Sequence, residues 1–311
     1  MGNDVIVIGE LNADLIAGGL DAVPMPGQEF VAGDFTMTLG SSSAIFACGI
    51  NALGRGVTFV SLAGTDSFGD YCVSEIERRG IDVSHIRRDP TARTGVTIVL
   101  STSEDRAMVT YPGAIADLTY RDLDLGLLDG HRHLHLTSYY LQTGLRRDFT
   151  ELIAAAKDRG LTVSFDPNSD PAQMWGTEVL DVIKLADILF INENEALQIT
   201  GESDPESALI RLAEITKIAV LKRGRNGANA ASNGSITVSA GFGVNTVDTT
   251  GAGDSFAAGF VDAFLDSKTI AECLVAGNAC GALSTTAAGG TAAQPNKQQL
   301  NELLKTRIIT V

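Results

Sequence analysis

A turn of small residues followed by a carboxylate carries the strongest chemical signal in this chain. The segment Asn245–Phe256 reads NTVDTTGAGDSF. Apolar residues then recur at helical spacing: Phe256, Phe260, Phe264 and Leu265. A helix is therefore expected to begin near Gly253, with Asp254 in its first turn.

The turn Gly251-Ala252-Gly253 leaves its backbone N–H groups unobstructed, and the helix N-terminus behind them adds positive potential. A carboxylate beside such an anion site suits phosphoryl transfer to an alcohol, because the hydroxyl needs a proton acceptor and the phosphoryl group needs fixed donors. The residues alone leave a second interpretation open, in which Asp254 only caps a helix and the glycines only make a tight turn.

Short apolar segments alternate with segments of helical period along most of the chain. The predicted strands are Val5–Ile8, Thr58–Leu62, His133–Thr137, Thr162–Phe165, Ile188–Ile191 and Ile218–Leu221. The predicted helices between them include Ala44–Leu53, Tyr71–Arg79, Asp148–Arg159 and Pro205–Ile215. This alternation is typical of an α/β fold, a doubly wound and mostly parallel sheet with helices on both faces.

Two stretches interrupt the alternation. Leu15–Thr38 is rich in Gly and Pro, and Thr94–Thr110 contains two β-rich runs around a polar turn at Ser103–Asp105. We expect these stretches to form a small β-sheet lid, inserted at about residues 12–38 and 91–113 into a single domain that covers residues 1–311.

The composition excludes several classes of protein. Asp and Glu number 38 against 23 Lys and Arg, and the net charge of −15 argues against nucleic-acid binding. No apolar run reaches ~18 residues without a charge, and the chain enters a strand-like segment at once, so we expect a cytoplasmic protein without a membrane partner. The four cysteines form no C-x-x-C pair, which predicts free thiols.

The string DTTGAGDSF at residues 248–256 resembles the C-terminal signature of the ribokinase-like (PfkB) carbohydrate kinases. The resemblance follows the family order over the whole chain. It implies an ATP-dependent kinase that phosphorylates a hydroxyl of a small sugar, with Asp254 as catalytic base and an anion hole at Gly251, Ala252 and Gly253. A P-loop, G-x-x-x-x-G-K-[ST], is absent, and no G-x-G-x-x-G follows the first strand.

The resemblance also assigns residues to the acceptor. GELNAD at residues 9–14 is similar to the family's first-strand motif, so Asn12 and Asp14 are expected to bind sugar hydroxyls. Arg106 precedes a segment that resembles the lid strand, where an Arg lies near the substrate in some members; a merely solvated Arg is the alternative. Asn168 lies in a segment that resembles the family's D-x-N motif, and Asp170 stands where sugar-acid kinases carry Arg.

The family's glycine-rich signature falls on residues 39–54, where this sequence departs from it. Gly40 and Ser41 are assigned to the substrate, although Ser41 replaces the usual second Gly. Ile45 replaces the usual substrate-binding Asn and, with Phe46, is expected to make an apolar wall. The serines at 41–43 also predict an N-cap for the following helix.

The remaining assignments concern ATP and ions. NENE at residues 192–195 resembles the N-x-x-E motif, so Asn192 and Glu195 are expected to position Mg²⁺ through its waters, and the same residues suit a helix cap. The nucleotide itself is assigned to Lys222, Gly224, Gly227 and Asn278. A monovalent cation such as K⁺ is assigned to Asp248, Thr250 and Gly289.

Three functions stay open: a sugar kinase, a nucleoside kinase of the same family, and a non-catalytic sugar or nucleotide sensor. The retained Asp254 argues against the sensor, because binding alone needs no base. The resemblance implies a homodimer formed through the lid. Since Ile45 replaces Asn and Asp170 replaces Arg, we expect a neutral acceptor, with sugar acids and sugar phosphates poor.

Overall fold

The computed structural model describes residues 4–102 and 106–308, and the turn predicted at Ser103–Asp105 lies outside them. Its main sheet contains β1 (Val5–Ile8), β4 (Val57–Gly64), β5 (Ile86–Asp89), β8 (His133–Thr137), β9 (Thr162–Asp166), β10 (Ile188–Asn192), β11 (Ile218–Lys222), β12 (Ala228–Ser232) and β13 (Ser235–Ser239). The strand order is β13-β12-β11-β10-β9-β8-β1-β4-β5. Neighbours from β5 to β11 run parallel, and β12 and β13 are antiparallel.

Helices cover both faces of this sheet. They are α1 (Ser42–Ala52), α2 (Ser67–Arg78), α3 (Ala114–Asp117), α4 (Phe149–Lys157), α5 (Val179–Leu185), α6 (Glu193–Thr200), α7 (Pro205–Ala213), α8 (Ala252–Leu265), α9 (Ile270–Ser284) and α10 (Lys297–Ile308). Alternate side chains of β1 belong to opposite core clusters. Ile6 and Ile8 pack in the cluster with α4 to α7. Val5 and Val7 pack in the cluster with α1, α2, α8 and α9. The predicted doubly wound α/β fold is therefore confirmed.

The hydrophobic pattern did not identify β5, β12 and β13, which lie at or next to the two edges of the sheet. β5 reads IRRD and β12 reads ANAAS, so neither contains an apolar β-branched run. Strands at an edge need less apolar surface than central strands, and their sequence signal is weaker for that reason.

A second sheet contains β2 (Asn12–Leu20), β3 (Asp34–Leu39), β6 (Gly95–Thr102) and β7 (Arg106–Tyr111), in the order β3-β2-β6-β7. Paired residues share a face of a sheet. The row Thr38, Asp14, Thr97 and Thr110 lies on one face, called the inner face here. The other, outer face exposes apolar side chains: Phe35, Met37, Ile98, Val109 and Tyr111.

The cysteines are free, and all of them are buried: Cys48, Cys72, Cys273 and Cys280. Burial raises the pKa of the Cys48, Cys72 and Cys273 thiols to about 12. Within residues 4–102 and 106–308, no helix is long and apolar enough to cross a membrane.

Candidate active site

Polar side chains gather where the parallel strands of the main sheet end. Glu10 follows β1, while Asp166, Asn192 and Lys222 are the last residues of β9, β10 and β11. Because the carboxyl ends of parallel strands lie along one edge of a sheet, these side chains share that edge, where open α/β sheets bind their ligands.

The N-terminus of α8 meets this edge through the Gly251–Gly253 turn, one residue earlier than predicted. Gly251 has a φ of +69°, and a Cβ added there would lie 2.7 Å from the Cα of Gly290. A Cβ added to Gly253 would lie 3.1 Å from Nζ of Lys222. Position 251 therefore requires glycine, and the turn brings the first N–H groups of α8 beside an ammonium group.

Asp254 lies in the first turn of α8 and is 7% exposed. Burial raises the pKa of its carboxyl group to about 7, and the charges of Asp166 and Glu10 add to the increase. Lys222 and a hydrogen bond with Ser42 oppose it. A carboxylate that titrates near neutral pH is suited to accept a proton from a hydroxyl.

Lys222 is held among carboxylates. Its ammonium group forms an ion pair with Asp166, which is 1% exposed. Burial by itself would lower the pKa of Lys222, but the charges of Asp166 and Glu195 hold that pKa above its usual value. The sequence prediction assigned Lys222 to the nucleotide loop and gave Asp166 no role, although the D-P-N segment after a buried strand was a signal for it.

Asn12 and Asp14 lie together on the inner face of the second sheet. Nδ2 of Asn12 donates to Oδ1 of Asp14 over 2.9 Å. A Cβ added to Gly40 would lie 2.1 Å from that same Oδ1, so Gly40 leaves the space that Asp14 fills. Burial raises the pKa of Asp14 to about 7, although the hydrogen bond from Asn12 and the charge of Arg106 each act to lower that pKa.

Ser41 caps α1, as its sequence predicted, because its hydroxyl accepts from the backbone N–H of Ala44 over 3.0 Å. Its φ is +73°, a backbone conformation that favours glycine, and the family usually has Gly at this position. The same hydroxyl donates to the carbonyl oxygen of Glu10 over 2.5 Å. The structure thus gives Ser41 a role in fixing the segment between β1 and α1.

Glu10 was not identified from the sequence. Its buried carboxylate accepts from the backbone N–H of Ser43 over 3.0 Å and from the hydroxyl of Ser138 over 2.8 Å. The Thr137 hydroxyl donates to it as well, over 3.1 Å. The carboxylate therefore joins the ends of β1 and β8 to the start of α1 next to Asp254, and a Glu directly after a buried strand was the available signal.

Asn168 and Asp170 were both predicted to face the substrate, and the structure separates them. Oδ1 of Asn168 accepts from the backbone N–H of Ser138 over 2.9 Å, at the strand-end edge. Asp170 accepts from the backbone N–H groups of Met174 and Trp175, each over 2.8 Å, and from that of Ala172. Its carboxylate thus shapes its own loop, and a substrate contact for Asp170 stays a prediction.

The predicted apolar wall of Ile45 and Phe46 needs correction. Phe46 is fully buried and stacks on His135 with ring centroids 3.5 Å apart, so it belongs to the core beneath the sheet. Ile45 is 3% exposed and lies under the turn, where a Cβ added to Gly251 would meet its Cγ2 at 2.9 Å. Ile45 therefore supports the turn from beneath.

Asn192 and Glu195 form a reciprocal cap on α6. The Asn192 side chain accepts from the N–H of Glu195 over 2.9 Å, and the Glu195 carboxylate accepts from the N–H of Asn192 over 3.0 Å. Burial and the charge of Asp166 raise the pKa of Glu195. The capping interpretation therefore holds, and the charge of Glu195 also reaches Lys222.

Gly224, Gly227 and Asn278 lie around the end of β13. Gly224 and Gly227 have φ values of +53° and +91° on either side of a short 3-10 turn. A Cβ on Gly227 would lie 2.1 Å from the carbonyl oxygen of Ser239, to which the Asn278 amide donates over 3.1 Å. These residues form a second group along the strand-end edge.

Asp248 joins two backbone segments near the turn. It accepts from the N–H of Thr250 over 2.9 Å and from the N–H of Gly289 over 2.8 Å. Arg106 of β7 donates to the Thr250 hydroxyl over 2.7 Å and lies 3.8 Å from Asp248. A Cβ on Gly289 would also meet the Thr38 hydroxyl at 2.7 Å, so the inner face of the second sheet lies against this loop.

The charges at the strand ends suit a magnesium ion that is held through water. The carboxyl groups of Asp166, Glu195 and Asp254 all act on the ammonium group of Lys222. In the described part of the chain, no cluster of three or more Asp, Glu, His or Cys side chains is placed to bind a metal ion directly. Mg²⁺ commonly keeps several waters and binds through substrate phosphates, and the role of Asn192 and Glu195 in positioning it stays a prediction.

The chain is similar to known proteins over most of its length. Residues 3–297 match the pfkB family carbohydrate kinases. A fructokinase of Escherichia coli is 31% identical, over 84% of this chain and 90% of that protein. The 2-dehydro-3-deoxygluconokinase of Bacillus subtilis (strain 168) is 30% identical, over 97% of this chain and 95% of that protein.

A solved structure extends the comparison to the fold. A fructokinase double mutant of Vibrio cholerae O395, with fructose, ADP and a potassium ion bound, is 27% identical and superposes with a TM-score of 0.81. The match covers 97% of this chain and 99% of that one. The match over residues 3–297 shows that the chain belongs to the pfkB family of carbohydrate kinases.

Proposed function

We propose that this protein transfers the γ-phosphoryl group of ATP to a hydroxyl of a small neutral sugar, with Asp254 as the general base. The observation that carries the proposal is the buried carboxyl group of Asp254, whose pKa is raised to about 7 directly beside the Gly251–Gly253 turn. As the acceptor oxygen bonds to the γ-phosphorus, its proton passes to Asp254, and the bond to the β–γ bridging oxygen breaks to release ADP.

The turn and the second sheet have complementary roles in this proposal. The N–H groups of Gly251, Ala252 and Gly253 form the anion hole for the phosphoryl oxygens. Asn12 and Asp14 bind acceptor hydroxyls from the inner face of the second sheet, which acts as the lid of a single domain. Contacts of the lid with the loop at Asp248 support this arrangement, because Arg106 and Thr38 both reach that loop.

The acceptor is proposed to be a neutral sugar because Asp14 would face it as an anion above pH 7, and because Arg106 on the inner face is already bonded to Thr250. Asp170 no longer contributes to this argument. With Phe46 in the core, the apolar wall that favoured a nucleoside is also lost. A carboxylate on the acceptor would meet Asp14 unpaired, which disfavours it.

We expect kcat/KM for the best neutral sugar to exceed that for any sugar acid or sugar phosphate by at least about tenfold. The measurement is ADP release across free sugars, sugar acids, sugar phosphates and nucleosides, with Asp254→Asn as the blank. A higher kcat/KM for 2-dehydro-3-deoxygluconate than for every neutral sugar would contradict the proposed acceptor class, and a nucleoside in first place would favour the nucleoside kinase.

Magnesium is proposed to bind with the ATP phosphates near Asn192 and Glu195. Glu195→Gln keeps an acceptor oxygen for the helix cap but removes the charge, so we expect it to raise the Mg²⁺ concentration needed for half-maximal rate several-fold. Glu272→Gln is the matched control, because the exposed Glu272 makes the same reciprocal cap with Thr269 at the start of α9. Overlapping Mg²⁺ titrations for Glu195→Gln and the wild type would reduce Glu195 to a capping residue.

Other features remain proposals. The carboxylate of Asp248, which links Thr250 and Gly289, supports a K⁺ site in the loop, and the fructokinase structure contains a potassium ion. Gly224, Gly227 and Asn278 are proposed to contact the nucleotide.

The apolar outer face of the lid supports a homodimer, which a measurement of the molar mass in solution tests. A cytoplasmic location stays a prediction.

A further inference from the structure

The ammonium group of Lys222 is stabilised by the carboxylates of Asp166 and Glu195, and it also lies beside the N-terminus of α8, whose dipole repels it. The ammonium nitrogen lies 3.1 Å from the position of a Cβ on Gly253, in the first turn of α8, where the helix dipole is positive. The Lys222 side chain is 14% exposed, so water screens this repulsion poorly. An anion that reaches the turn therefore meets a fixed cation as well as the backbone N–H groups.

Asp166 neutralises Lys222 in the free protein from two strands away. β10 lies between β9 and β11 in the sheet, so the Lys222 side chain reaches across the end of β10 to its partner. An extended lysine that is held at its tip by a buried carboxylate has a fixed direction. Asp166 thereby aims the ammonium group at the strand-end edge where the turn lies.

We propose that Lys222 is a catalytic residue that donates a hydrogen bond to the phosphoryl group in transfer, and that Asp166 is its positioning residue. The proposal rests on the proposed kinase function and adds to it a contact with the reacting group. While the acceptor oxygen forms its bond to the γ-phosphorus and ADP departs, the non-bridging oxygens of the phosphoryl group carry negative charge. A preorganised ammonium stabilises that charge without a change in its own protonation.

The test must separate catalysis from simple neutralisation of Asp166. Lys222→Met removes the ammonium at similar side-chain length but leaves Asp166 buried and unpaired, so it also destabilises the fold. The double variant Lys222→Met/Asp166→Asn removes both charges. Lys157→Met serves as a control, because Lys157, the last residue of α4, pairs with the buried Asp187 at 3.2 Å just before β10 begins, and Lys217 still pairs with Asp187 in that variant.

We expect Lys222→Met and the double variant each to lower kcat about 10²-fold, with KM for the acceptor changed less than about threefold. The melting temperature should fall in the single variant and recover in the double variant, and Lys157→Met should retain kcat. A double variant that regains kcat to within about threefold of the wild type would overturn the proposal, because Lys222 would then only neutralise Asp166.

Nucleotide binding gives a second readout that needs no acceptor. Contact with the terminal phosphoryl group predicts weaker binding of a non-hydrolysable ATP analogue to Lys222→Met, with ADP affinity retained. If Lys222→Met loses equal affinity for the analogue and for ADP, or loses affinity for neither, the proposal is overturned. This result decides even if the melting temperature of the double variant does not recover. If the wild type turns over none of the acceptors, the proposed function is refuted instead. The comparison of analogue and ADP affinities would still decide whether Lys222 contacts the terminal phosphoryl group.

Discussion

Asp254→Asn is expected to lower kcat by about 10²-fold to 10⁴-fold, because the amide cannot accept the hydroxyl proton. ATP affinity should change little, since the backbone N–H groups of the turn remain. Steady-state kinetics with the best acceptor and calorimetric titration with ATP measure the two quantities. Asp262→Asn is the matched control in the same helix: its buried carboxylate pairs with Arg55 and Lys297, so we expect it to reduce stability and leave kcat nearly unchanged. Near-full turnover in Asp254→Asn would exclude the residue as the base.

The same residue predicts the pH dependence of rate and stability. The pKa of Asp254 rises from 3.8 to about 7 on folding, so kcat should fall as pH decreases through about 7 and the base becomes protonated. The folded state then binds more protons than the unfolded state between those two values. Asp254 therefore makes stability fall as pH rises from 3.8 to about 7, and the loss is complete above that pH. Above that pH, Asp254→Asn should melt no lower than the wild type.

Gly251→Ala is expected to lower kcat by about 10²-fold to 10³-fold, the loss associated with one anion-hole donor. The new Cβ would lie 2.7 Å from the Cα of Gly290 and must displace the turn. Gly54→Ala is the control, because Gly54 also has a positive φ, +97°, but nothing within 4 Å of the added atom. Both variants incur about 1 kcal/mol of backbone strain, and only Gly251→Ala should lose turnover. Equal kcat in the two variants would show that the position of the turn does not control the rate.

Local sequence was sufficient to predict the elements with strong periodicity. The central strands and α8 are buried nearly all round, so their apolar residues had to follow the geometry of strand and helix. The start of α8 was displaced by one residue, because Gly251 supplies a left-handed N-cap that a helical pattern does not encode.

Contacts between distant segments could not be predicted in this way. The ion pair of Lys222 with Asp166 depends on the order of β9, β10 and β11, and the bonds of Glu10 depend on where β8 lies beside β1. Asp170 and Phe46 were placed near the substrate because of their positions in the family's motifs. In the structure the core encloses Phe46, and the carboxylate of Asp170 accepts from backbone N–H groups of its own loop, which the motif did not predict.

The rates at which the four buried thiols react with a thiol reagent would report where the folded protein opens. A thiolate is the nucleophile that attacks an electrophilic thiol reagent. Burial of Cys48, Cys72, Cys273 and Cys280 both blocks access of the reagent and keeps the sulfur protonated. Cys48 lies in α1, Cys72 lies in α2 next to the second sheet, and Cys273 and Cys280 lie in α9. The order in which the four sulfurs are labelled would therefore show which of these three helices separates first, without any engineered probe.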